Sequence, residues 1–168
     1  MALLKIRDLK THFFTGNSSG GNGIIKAVDG IDLHLEPGKT EGLVGESGCG
    51  KTATALSIMR LLPRSGKTVS GKIIFEGEDL LLKSPREMSK IRGKKISMIF
   101  QEPLSSLNPV LRSGKQIEEA IRLHRGMGRA EAEKEAVRIM ELVGIPSPKA
   151  RAKDYPHQLS GGMRQRIM

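Results

Sequence analysis

The segment Gly45-Glu46-Ser47-Gly48-Cys49-Gly50-Lys51-Thr52 constrains this chain more than any other. Gly42-Leu43-Val44 precedes it and, with Gly45, reads as the end of a buried strand, Glu41 sitting at the solvated start. Lys51 to Leu62 follows it and reads as a helix stopped by Pro63. A strand-to-helix turn made of glycine lets backbone N–H groups converge where side chains would clash. The helix that starts there aims the positive end of its dipole at the same point. The pattern G-x-x-x-x-G-K-[ST] in this setting describes a loop that holds phosphates. Lys51 is then placed to reach the β- and γ-phosphates of a nucleoside triphosphate, and the Thr52 hydroxyl to bind Mg²⁺. Cys49 reads as a small packing residue within the loop.

The 168 residues suffice for one domain with a sizeable core. No stretch approaches the ~20 apolar residues of a membrane span, and MALLKIRDLK lacks the apolar run of a signal peptide. A soluble, cytoplasmic chain is therefore expected. One cysteine, Cys49, excludes an internal disulfide. The net charge of +10 raises the question of an anionic partner. The charges are spread, however, with Arg92-Gly93-Lys94-Lys95 the longest basic stretch. At 3% aromatics there is no array of stacking platforms, so no nucleic-acid partner is expected.

Leu4 and Ile6 alternate with Lys5 and Arg7 in a strand running to about Phe13. Thr15–Gly23 is a turn-forming loop, and Ile31, Leu33 and Leu35 mark a second strand. Gly71–Glu76 and Ile96–Phe100 read as further strands. Ser84-Pro85-Arg86-Glu87 is a capping box opening a helix, and Ser113 with Gln116 reads as another. Ala130–Val143 is the clearest amphipathic helix, with Ala136, Ile139, Met140 and Val143 on one face and Gly144 as its stop. Ser160 is the expected N-cap of a last helix opened by Gly161-Gly162.

Two later constellations narrow the chemistry. Gln101 directly follows the apolar run Ile96–Phe100, where a glutamine can reach a metal-bound water. Ser160-Gly161-Gly162 at a helix start forms a second anion-binding corner. Two such corners in one chain point to a nucleotide shared between two copies. Glycine loop, strand-end glutamine and LSGGMRQR, in this order, resemble the nucleotide-binding domain of an ABC transporter. FQEPLSSLNP (Phe100–Pro109), YPHQLSGGMRQR (Tyr155–Arg166), GLVGESGCGKT and VGIP are similar to the ATP-binding subunit of bacterial oligopeptide/dipeptide importers.

The resemblance implies an α/β fold of P-loop NTPase type, a mixed sheet around the phosphate-loop helix plus a helical subdomain. It implies residues 1–100 as the N-terminal β-subdomain and part of the ATP-binding core. Residues 101–160 would be the helical subdomain with the Q-loop at its start, and 159–168 the signature segment. Phe13, with Phe14 as second choice, would stack on adenine, and Val28 would pack beneath the base. Lys51 and Gln101 would act in catalysis, Thr52 and Gln101 on the metal, and Ser160, Gly161 and Gly162 on ATP held by the other copy. The implied partners are a second ATP-binding subunit, two transmembrane permease subunits at the cytoplasmic face of the cell membrane and, indirectly, an extracytoplasmic peptide-binding protein.

The family pattern continues past the signature segment with a strand ending in aspartate, a catalytic glutamate and a switch histidine. None of these is found in the 168 residues; His12, His34, His124 and His157 all precede the signature helix. Inefficient ATP turnover and marginal folding or aggregation are therefore expected of this chain alone. The alternatives are a nucleotide-binding remnant without catalysis, or an ABC ATPase acting outside transport.

Overall fold

The computed structural model describes residues 2–16, 22–100 and 106–168. It divides into two compact units, Met1–Arg92 and Gly93–Met168.

In the first unit, β1 (Leu4–Gly16) and β2 (Asn22–Leu35) form a long antiparallel hairpin. Strand β3 (Gly66–Phe75) pairs with the other edge of β1, and the short β4 (Glu78–Asp79) completes the order β2-β1-β3-β4. Both hairpin strands outrun the alternation visible in sequence. Ile24 and Ile25 are both exposed, so that end of β2 carries no period-two pattern; its ladder to β1 holds it extended. Strand β3 begins at Gly66 rather than Gly71 for the same reason. Gly71 lies inside it at φ +101, where a Cβ would come within 2.5 Å of the Asp8 carbonyl oxygen. Asp8 itself takes φ 42, at the break in the β1 register between Ile6 and Leu9. The bulge and the glycine fit each other.

Helix α1 (Lys51–Met59) contacts β1 and β2 and buries Ala53, Thr54, Ser57 and Met59. It stops before the expected Leu62. Arg60 adopts the left-handed conformation, φ 51 and ψ 45, and the Leu61 N–H returns to the Leu56 carbonyl at 2.9 Å. A 3-10 turn (Leu80–Leu82) and α2 (Pro85–Ile91) follow β4. The capping box read from sequence is present: the Glu87 N–H donates to Ser84 Oγ at 3.3 Å, and the Ser84 N–H donates to the Glu87 carboxylate at 2.7 Å. The Ser84 hydroxyl also donates to that carboxylate, at 2.6 Å, and this bond first, then the one from the Ser84 N–H, holds the Glu87 pKa below its ordinary value. Ile6, Leu9, Ile73, Leu80 and Met88 are almost fully buried and form the apolar interior of this unit.

The second unit is helical. Helices α3 (Ser113–Arg125) and α4 (Arg129–Leu142) pack through Ile121, Ala132 and Ala136, flanked by Ile117, Met127 and Ile139. The face expected of α4 is the one buried, except that Val143 lies just past the helix and is partly exposed. The short α5 (Pro148–Arg151), a 3-10 turn (Pro156–Gln158) and α6 (Gly161–Ile167) complete it.

Three expectations change. Ser113 is not an N-cap. Its N–H and that of Gly114 donate to the Asp154 and Ala152 carbonyls, both at 2.9 Å, so the helix start is satisfied by another segment's backbone. Gln116 instead bonds the loop before α3, accepting from the Asn108 N–H and donating to the carbonyls of Asn108 and Leu111. The other two are the segments Gly42–Gly45 and Ile96–Phe100, which are not strands: both are irregular apart from an isolated β-bridge at Ile96. An extended segment becomes a strand through a ladder, and among the described residues neither is part of the sheet. Val44 and Ile99 accordingly face water, at 93% and 77% exposure.

Candidate functional site

Glycine geometry builds the site at the start of α1. Gly48 and Gly50 take φ +82 and +95, and Gly50 is the helix N-cap without any side-chain cap bond. A Cβ on Gly50 would lie 2.2 Å from the Ala27 carbonyl oxygen and 3.5 Å from Val28 Cγ2. The loop thus rests directly on β2, and only glycine permits that approach. Below it, α1 is tied to β1 by the buried pair Thr11 Oγ1 and Ser57 Oγ at 2.8 Å. Thr54 returns its hydroxyl and its N–H to the Gly50 carbonyl at 3.0 and 2.8 Å, closing the first turn.

The Lys51 ammonium folds over the loop. It donates to the carbonyls of Gly45 at 2.8 Å and Glu46 at 2.7 Å, and lies 3.4 Å from Cys49 Sγ. A helix N-terminus with an ammonium over it is a region of positive potential. Residues Gly45 to Cys49 and Thr52 are exposed. The Thr52 hydroxyl makes no hydrogen bond among the described residues, unlike that of Thr54.

Of the other residues singled out by sequence, Val28 is buried against the loop at Gly50. Phe13 is half-buried and its ring lies over Gly66, where a Cβ would come within 2.9 Å of Cε1; Phe14 is 44% exposed. Ser160 belongs to the second unit. It is the N-cap of α6, its Oγ accepting from the Met163 N–H at 3.3 Å, with Gly161 and Gly162 as the first helical residues. Arg166 on that helix donates to the Gly144 carbonyl at 2.8 Å. Gln101 lies outside the described residues.

Sequence reasoning missed the far end of α1. Arg92 Nε donates to the Met59 carbonyl and Arg92 Nη2 to the Arg60 carbonyl, both at 2.8 Å. Arg60 Nη1 donates to the carbonyls of Leu80, at 3.1 Å, and Lys83. Nothing local in the sequence marks Arg92 for this task, beyond its place at the head of a basic stretch just after α2.

A cavity of about 660 Å³ in the second unit is lined by residues of α3, α4 and α5. Lys134, Lys149 and Lys153 line it together with Glu133 and Glu141, while Lys115 is already paired with the buried Glu118 at 2.7 Å. Charges of both signs line it, and none of the glycine-loop residues does.

The family model described as ABC transporter matches residues 28–168. A probable peptide ABC transporter ATP-binding protein of Sinorhizobium fredii is 49% identical over 99% of this chain and 48% of its own length. The oligopeptide transport ATP-binding protein OppD is 46% identical in Bacillus subtilis, over 99% of this chain and 45% of that protein. In Escherichia coli it is 44% identical, over 99% and 48%. This chain spans about half the length of these curated relatives. Among solved structures, the dimeric ATP-binding cassette MJ0796 bound to ADP and Pi superposes with a TM-score of 0.80 at 26% identity. That match covers 98% of this chain and 66% of the other. A further dimeric structure of MJ0796, described as a bacterial ABC transporter cassette, gives 0.79 with the same identity and coverage. A glycine loop opening a helix on an antiparallel sheet, in a chain with this family match and this likeness, has the ABC cassette fold, and the chain belongs to the ABC transporter family.

Proposed function

We propose that this chain holds ATP by its phosphates in the loop Gly45–Thr52, as the nucleotide-binding portion of the energy subunit of a peptide importer. The observation that carries the reading is the loop itself: two positive-φ glycines, Gly50 of them seated on β2, a free helix N-terminus and the Lys51 ammonium drawn over the loop. Lys51 would exchange its contacts to the Gly45 and Glu46 carbonyls for phosphate oxygens. The exposed N–H groups of the loop would take up the remaining phosphate charge.

Mg²⁺ fits the residues present. Such an ion takes one or two protein oxygens beside substrate phosphates and waters, and the exposed, unbonded Thr52 hydroxyl is an oxygen of that kind. When bound, the ion neutralises charge on the phosphates. Gln101 is assigned to the same metal site and to coupling with the membrane subunits. Val28 and Phe13 are assigned to the base, on the strength of Val28 lying under Gly50.

Ser160, Gly161 and Gly162 are assigned to the ATP held by a second copy, a reading supported by the dimeric state of both solved relatives. The peptide substrate is assigned from what the curated relatives are called, and the two permease subunits, the extracytoplasmic binding protein and a place at the cytoplasmic face of the membrane are assigned with the family. No helix among the described residues is long and apolar enough to cross a membrane, in keeping with attachment through other subunits. Binding is assigned to these 168 residues, and hydrolysis to cassettes that also carry the strand-end aspartate, catalytic glutamate and switch histidine.

Titration with a fluorescent ATP analogue in the presence of Mg²⁺ tests this. Saturable binding is expected, weakened about tenfold or more by Lys51→Ala, since a charged hydrogen bond contributes about 1.5–3 kcal/mol. Absence of binding, or equal binding by the variant, would overturn the proposal. A steady-state phosphate-release assay that finds brisk turnover, abolished by Lys51→Ala, would extend the assignment to catalysis.

A further inference from the structure

Helix α1 carries the glycine loop at one end, and its other end is held in an unusual way. Arg60, a non-glycine residue, occupies the left-handed cap position, a conformation that opposes its own side chain sterically. Its guanidinium is spent on the Leu80 and Lys83 carbonyls, at the first residue and the C-cap of the 3-10 turn. Arg92 then spreads a second guanidinium over the carbonyls of Met59 and Arg60, one bond from Nε and one from Nη2. Arg92 is also the C-cap of α2, its own N–H returning to the Met88 carbonyl at 2.9 Å. The C-termini of two helices therefore meet at one arginine.

Two consequences follow for the loop. A cation at the C-terminal end of a helix is favoured by the dipole that also makes the N-terminal end attract anions. Further, α1 is only nine residues long. At 1.5 Å per residue its ends are roughly 13 Å apart, so tilting one end displaces the other. The N-terminal end has no side-chain cap of its own. Its placement depends on the contacts at Gly50, on the Thr11–Ser57 pair and on the far-end anchor.

We propose that Arg92 is a positioning residue for the phosphate loop: by gripping the Met59 and Arg60 carbonyls it sets where α1 presents Gly50, Lys51 and Thr52. The proposal rests on the nucleotide-binding reading above. The guanidinium fork is the point, because a lysine supplies the charge but cannot span two carbonyls with the same planar geometry.

Three proteins decide it: wild type, Arg92→Ala and Arg92→Lys. Each is titrated with a fluorescent ATP analogue and Mg²⁺ at a temperature far below its own melting midpoint. There, a role in stability alone leaves affinity unchanged. Arg92→Ala is expected to weaken binding about 5- to 10-fold and Arg92→Lys about 2- to 3-fold. Hydrogen exchange without nucleotide is expected to speed up in both variants at the amides of residues 54–57, the first in α1 to be hydrogen-bonded. Affinity within twofold of wild type for a folded Arg92→Ala overturns the proposal. If Arg92→Ala does not fold, Arg92→Lys takes its place, and wild-type affinity together with wild-type exchange in that variant overturns the proposal. If wild type binds no nucleotide, the functional reading has failed, and unchanged exchange at residues 54–57 would sink the positioning role independently.

Discussion

The hydroxyls of Thr11 and Ser57 face each other at 2.8 Å, 46 residues apart in sequence and both wholly buried. Ser57 Oγ also donates to the Ala53 carbonyl at 2.7 Å, so its only proton is committed and Thr11 is the donor of the pair. This is the polar tie between β1 and the helix that carries the glycine loop. Removing one partner leaves the other desolvated and unpaired, at a cost of about 1–3 kcal/mol. Thr11→Val and Ser57→Ala should each lower the chemical-denaturation midpoint by that equivalent. The double variant should cost clearly less than their sum, and simple additivity in the double-mutant cycle would argue against the tie.

Gly50→Ala meets two penalties at once. The position needs φ +95, and the new methyl group would strike the Ala27 carbonyl oxygen. Backbone strain alone costs about 1–3 kcal/mol. Gly38 provides the control, with φ +71 and nothing within 4 Å of an added Cβ. Gly50→Ala should therefore melt several degrees below Gly38→Ala. It should also lose nucleotide affinity, which Gly38→Ala should keep.

Glu135 on α4 is held by two arginines. Arg138 donates from Nε and Nη2 at 2.7 and 2.8 Å, and Arg125 from Nη1 at 2.8 Å. Chiefly through the Arg138 bonds, its pKa falls from 4.5 to about 2, and that of Arg138 rises in return. A carboxylate depressed in the folded state adds stability above its unfolded pKa and loses it as pH falls through the folded one. Wild type should therefore melt above Glu135→Gln at neutral pH. The gap should narrow from about pH 4.5 and vanish near 2. A gap independent of pH would refute the ion-pair origin.

Val44 and Ile99 are exposed at 93% and 77%. Leu43 and Phe100 beside them are exposed as well. Apolar segments lacking a sheet partner invite association with other chains. Val44→Ser with Ile99→Ser should raise the soluble, monodisperse fraction in size-exclusion chromatography while the melting midpoint shifts by less than about 1 kcal/mol equivalent. Unchanged aggregation would place the sticky surface elsewhere.

Features whose physics closes within a few residues could be read from the sequence. Ser84 and Glu87 satisfy each other across one turn, Ser160 caps the helix it begins, and Gly144 stops α4 at φ +73. The glycine loop belongs with them, because its spacing encodes a backbone path and a lysine to go with it. Tertiary structure alone decided everything whose partner lies far along the chain. The full length of β2 and the start of β3 depend on the β1 ladder. The start of α3 is satisfied by Ala152 and Asp154 rather than by the Ser113 hydroxyl. The end of α1 is set by Arg60 and gripped by Arg92, 33 residues beyond Met59. The apolar runs before the loop and at Ile96–Phe100 have strand composition but no ladder among the described residues, and composition cannot supply one. A backbone group is indifferent to sequence distance when it finds its partner. What the folded chain decided was therefore which carbonyl each distant donor would meet.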